Sequence, residues 1–157
     1  MRHHHPPVRS VRSTASTSSG IVLLEALVAL LIFAVGILGL IGLQAASIKQ
    51  ATAAEYRSVA TLQANDLISR MWVADRTTSN LTAQFDSASD AAGYAKWKAE
   101  WLQALPGAAT YPPTVTITSV AGGGTTPLSS SQVTVVVFWR APSDTDTHNY
   151  SVVAQLK

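Results

Sequence analysis

A single carboxylate stands in the most apolar part of this sequence. Gly20 to Gln44 reads GIVLLEALVALLIFAVGILGLIGLQ, and the 23 residues from Ile21 to Leu43 carry one charge, Glu25. A carboxylate in such a stretch costs roughly 2.5–3.5 kcal/mol at the centre of a bilayer and less near an edge. Glu25 comes four residues after Ile21, about 6 Å along a helix. It sits near one edge and can snorkel, as a tolerated charge on a signal anchor. The sharper chemistry is an ion pair. Cleavage after Gly20 would free an α-amino group on Ile21, charged at neutral pH. In copies packed side by side, the Glu25 of one would meet the Ile21 amine of the next. At about 4 Å and intermediate dielectric, the attraction is on the order of 4 kcal/mol before desolvation is subtracted.

The other chemistry-bearing residues point to nothing comparable. His3, His4 and His5 are adjacent, but no neighbouring residue completes a ligand set, and leader or tag composition accounts for them. His148 lies beside Asp144 and Asp146. A Ser/His/Asp set can be drawn on paper, yet no nucleophile elbow accompanies it, so a surface histidine is expected. The segment D-T-D-T-H-N has ligand-like oxygens in Asp144, Asp146 and Asn149, without the glycine and distal glutamate of a calcium loop. Gly122, Gly123 and Gly124 are followed by no GK[ST], so they form a turn and not a phosphate cradle. There is no cysteine, which excludes disulfides, thiolate metal sites and a cysteine nucleophile. The expectation is no catalysis, no cofactor and no metal.

The elements that must position Glu25 follow from charge and periodicity. Arg2, Arg9 and Arg12 precede the apolar run without acidic company. By the positive-inside tendency they keep the N-terminus cytoplasmic and send the rest outward. Residues 1–20 read as a cleaved basic leader. Without them Lys+Arg falls from 11 to 8 against nine Asp+Glu, and the formal charge moves from +2 to −1, so no general nucleic-acid footprint is expected. Proline is absent between Pro7 and Pro106, so one helix can continue past the run to about Ala74. Residues 21–43 would span a membrane, and residues 44–75 would form the spine of a head. Ile48, Thr52, Tyr56, Val59, Leu62, Asp66 or Leu67, and Arg70 or Met71 recur at near-helical spacing, a helix covered on one side. Asp66 and Arg70 read as a solvated i, i+4 pair. Gly36, Gly39 and Gly42 share one broad face, where small residues allow close helix packing.

Residues 76–157 read as a globular head. A polar loop follows Asp75. Tyr94, Trp97, Trp101, Leu102 and Leu105 make a stripe, giving a short helix over 90–105 stopped by Pro106-Gly107. Tryptophans at that spacing pack a core more often than they present a platform. Strands are predicted at 114–120, with Val115 and Ile117 inward, at 132–140, and at 149–156. The middle one is apolar on both faces and therefore central. The fold class is α+β, a long N-terminal helix on a small antiparallel sheet.

Gly20 followed by an apolar stretch with Glu at the fifth position after it resembles the class III signal of type IV pilins and of type II secretion pseudopilins. LLEALVALLIFAVGILGLIGLQ, LQANDLISRMWVAD (62–75), WKAEWLQALPG (97–107) and TVVVFWR (134–140) are most similar to the PilV type of minor pilin. The resemblance implies an α/β roll, cutting after Gly20 by a prepilin peptidase, N-methylation of Ile21, and Glu25 as the assembly carboxylate. It also implies local unwinding at Gly36, Gly39 and Gly42. Membrane lipid, an inner-membrane assembly platform and other major and minor pilins would be the partners. The head would lie in the periplasm and later on a pilus serving assembly, twitching motility or adhesion. A type II secretion pseudopilin is the alternative within this architecture. An adhesin or ligand-binding head, using Trp97, Trp101 and the 122–124 loop, is the alternative outside it.

Overall fold

The computed structural model describes residues 18–122, 130–142 and 144–157. The leader residues Arg2, His3, His4, His5, Arg9 and Arg12, and most of the 122–124 loop, lie outside the described residues. The elements run α1 (Ser18–Val73), α2 (Thr78–Phe85), α3 (Ala92–Trp101), β1 (Thr114–Val120), β2 (Ser130–Trp139) and β3 (His148–Leu156). The chain divides into two compact units, one through Ser47 and one from Ile48 to Lys157. The class is α+β, as the sequence predicts.

In the first unit, α1 runs unbroken, as the absence of proline allows. Its large apolar side chains from Ile21 to Leu43 are all between 41% and 70% exposed, so no face of this stretch is covered by the other described residues. With a mean hydropathy of 3.0 over an 18-residue window, α1 is the one helix among the described residues long and apolar enough to cross a membrane.

In the second unit α1 buries Ala60, Gln63, Ala64, Leu67, Ile68 and Met71, an i, i+3, i+4, i+7, i+8, i+11 stripe on one face. This corrects the stripe read from the sequence. Ile48 is 67% and Leu62 is 58% exposed, while Tyr56 and Val59 only flank the core. The contact runs through two alanines at its start, where no large side chain holds the layers apart, and through leucine, isoleucine and methionine at its end.

The loop expected after Asp75 is in part a helix. Asp75 ends the spine by accepting hydrogen bonds from the Thr77 backbone N–H (3.0 Å) and from Asn80 Nδ2 (2.9 Å). These bonds, the Thr77 backbone bond first, hold its carboxyl below the usual range. The turn launches α2, whose Leu81 and Phe85, four apart, are its only buried residues. Two apolar positions in a polar segment carry too little periodic signal to reveal a helix, and tertiary contact supplies the rest. The next helix is shorter than predicted. It starts after Asp90, whose positive φ of 47° cannot belong to a right-handed helix, and it ends at Trp101 in turns. Gly93 lets α3 approach α2, because a Cβ there would lie 2.7 Å from the Gln84 carbonyl oxygen and from Phe85 Cε1.

The strands form an antiparallel sheet in the order β1-β2-β3. β2 is central, as predicted. Its inner face, Val133, Val135, Val137 and Trp139, is buried, but Val136 and Phe138 on the other face are only half-buried. Apolar residues on both sides of a strand thus identified the centre of the sheet without implying a second covering layer. β2 also begins at Ser130, earlier than expected. Buried Ser131 donates to the Arg76 carbonyl at 2.9 Å and shares a 2.8 Å bond with Thr78 Oγ1, tying the α1–α2 junction to the sheet. Val115 and Ile117 of β1 point inward and register with Val135 and Val133.

Since every buried apolar residue among the described residues lies between Ala60 and Leu156, the 48–157 fragment should fold alone. Circular dichroism should show mixed helix and sheet with a cooperative melt; a random-coil spectrum would mean that this core needs another subunit.

Candidate functional site

The candidate site residues lie on the exposed part of α1. Gly20, Ile21 and Glu25 are all helical and exposed. Among the described residues no cation comes within 4.0 Å of Glu25. The described residues therefore give this carboxylate no cationic partner. Gly36, Gly39 and Gly42 lie inside continuous helix, and a Cβ on any of them would meet nothing within 4 Å. The packing of the chain on itself does not require glycine there. Each such glycine costs about 1 kcal/mol of helix stability relative to alanine.

The head holds two clusters. Asp66 Oδ2 accepts from Arg70 Nε at 2.9 Å and from Trp101 Nε1 at 3.2 Å, and Arg70 Nη2 donates to Glu100 on α3. The pair read as solvated is thus a clamp between α1 and α3, with side chains about one third exposed. The Arg70 guanidinium is pushed above its ordinary value, chiefly by the Glu100 hydrogen bond with burial opposing, and Glu100 is held below the usual carboxylate range chiefly by Arg70. Trp97 is buried and donates to the Gln63 carbonyl at 3.1 Å; Trp101 is half-buried. Both tryptophans pack the core, so they do not form an open platform. Spacing alone showed the Asp66–Arg70 pair. The link to Trp101 and Glu100 crosses 30 to 35 positions, which no local pattern reveals.

The second cluster joins β2 to β3. Trp139 and His148 are opposite in register. Their rings stack with centroids 5.9 Å apart, and His148 Nε2 lies 2.8 Å from Asp144 Oδ2. The exposed histidine expected from the sequence is there, held by an aromatic ring and a carboxylate. No group of three or more His, Asp or Glu side chains converges among the described residues. Compared with family models, curated proteins and solved structures, the chain matches none.

Proposed function

We propose that this chain is a pilin-like assembly subunit, a minor pilin of the PilV type, that joins or primes a type IV pilus. One observation carries the reading. A single helix combines the Gly20–Ile21 junction, a lone Glu25 with no cation partner among the described residues in an apolar surface that those residues leave uncovered, and a distal stripe that anchors an α+β head. Such a helix serves two environments in turn. In lipid its apolar surface is solvated by acyl chains. In a filament the same surface is buried against copies of itself, and Glu25 finds the amine that the isolated chain lacks. The N-terminus then faces the cytoplasm and the head the periplasm before extraction. The prepilin peptidase, the assembly platform and other major and minor pilins are the partners. The work is assembly, without catalysis.

The test is the mature N-terminus. Protein from native membranes should begin at Ile21, with an intact mass lacking residues 1–20 and carrying an N-methyl group. Gly20→Phe should leave the full-length form, because a peptidase must approach this backbone closely. A full-length mass for the wild-type protein would overturn the reading.

A further inference from the structure

A groove of about 680 Å³ opens in the unit Ile48–Lys157, between α1 and the β2–β3 end of the sheet. Its volume falls within the range of small-ligand pockets, roughly 300–1,000 Å³. Tyr56 and Trp139 line it, and Lys49 and Arg57 stand on its helical wall. Both cations are exposed, and among the described residues neither has a carboxylate within 4.0 Å, whereas Arg70 has two and Lys98 and His148 have one each. The groove's one acid among the described residues, Asp144, lies 2.8 Å from His148 Nε2 and leaves two cations against one carboxylate. Its unbalanced charge is positive, beside an apolar lining.

Position in the chain narrows the occupant. Lys49 is the first basic residue after the apolar run, six residues beyond Leu43, about 9 Å of helical rise. Tyrosine and tryptophan beside lysine and arginine are the side chains that gather at a membrane–water interface. We propose that the groove binds the headgroup region of an anionic phospholipid, its phosphate held by Lys49 and Arg57 and the carbons of its glycerol backbone lying against Tyr56 and Trp139. This rests on the reading of α1 as a membrane anchor. A neutral protein surface would leave the two cations unanswered, whereas phosphatidylglycerol satisfies charge and apolar lining together.

The experiment uses the full-length chain. Flotation with vesicles tests the anchor. Native mass spectrometry from detergent micelles supplied with limiting phosphatidylglycerol or phosphatidylcholine of equal acyl composition tests the groove. The wild type should retain phosphatidylglycerol preferentially. The double variant Lys49→Gln/Arg57→Gln changes only exposed side chains and should weaken that retention roughly tenfold or more. Ala53→Trp, at an exposed position on the groove wall, should weaken it with both cations intact. A chain that does not float overturns the anchor reading and this inference together. A chain that floats but retains the two lipids alike, or a double variant that retains phosphatidylglycerol like the wild type, overturns the inference alone. So does a lipid-independent dimer abolished by Ala53→Trp, which would put a second copy in the groove.

Discussion

Val135→Asp is expected to abolish the folded head. Val135 is fully buried at the centre of the central strand, opposite Val115 on one side and Val152 on the other. It belongs to a core cluster of aliphatic, methionine and aromatic side chains with no charged member. A carboxylate placed there gains no cation. It either pays the desolvation of a charge or takes up a proton and leaves a polar group unbonded, at several kcal/mol in either form. A domain of this size holds only about 5–15 kcal/mol of net stability. Steady-state levels of the full chain should fall sharply, and the 48–157 fragment should lose its cooperative transition. Val137→Asp should do the same, since Val137 is also buried on this face. Val153→Asp is the control. That side chain is 56% exposed on the other face of the sheet, and surface changes typically cost within about 0.5 kcal/mol. Wild-type stability for Val135→Asp would mean that the inner face of β2 is an open edge and that the layer of α1 over it is wrong.

The same alternation explains why the sheet was legible. A strand's side chains alternate between faces, so Val115 and Ile117 among threonines, and Val133, Val135 and Val137 in succession, carry their pairing in their order. β1 matches its predicted bounds and the central place of β2 follows. The apolar run was equally legible, because exposure on all sides of α1 needs no knowledge of a neighbour. What stayed hidden depended on distance in the chain. α2 exists because Leu81 and Phe85 find a core built by other elements, and Phe85 packs where Gly93 leaves room. The true inner stripe of α1 includes Ala60, Gln63 and Ala64, which hydropathy does not mark as core. The larger Leu62 and Ile48 do attract that reading, and they face outward. Asp90 looks like a helix start by type but adopts a left-handed conformation, so the helix waits until Ala92.

The candidate site divides along the same line. Gly20, Ile21, Glu25 and the three glycines are adjacent enough for spacing to single them out. The structure adds that none of them has a partner among the described residues of the chain. On the proposed reading their chemistry is intermolecular, and a single chain would not display it. The groove behaves oppositely. Lys49 and Arg57 are ordinary charges in the sequence, and they acquire a shared setting only when Trp139 and His148 are folded against the same helix.

Glu25→Leu is expected to separate insertion from assembly. In lipid the carboxylate is a cost, so leucine should improve the anchor, and membrane insertion and loss of residues 1–20 should proceed at wild-type levels. In the proposed filament the outcome reverses. A wild-type subunit recovers part of the desolvation of Glu25 through the Ile21 amine of its neighbour, an attraction on the order of 4 kcal/mol at close range before that desolvation is counted. Leucine removes this gain and leaves the neighbour's amine buried without an anion, a loss larger than that of the pair itself. It also removes the contact that sets one helix in axial register against the next. Complementation with Glu25→Leu should therefore give normal amounts of cleaved protein in membranes, a drop of tenfold or more in sheared pili (about 1.4 kcal/mol suffices for tenfold), and reduced surface motility. Glu25→Asp, with the same charge on a shorter arm, should restore part of the incorporation. Equal incorporation of the leucine variant and the wild type would make Glu25 a tolerated edge charge, since a carboxylate whose only effect is its cost in lipid cannot be missed once it is gone.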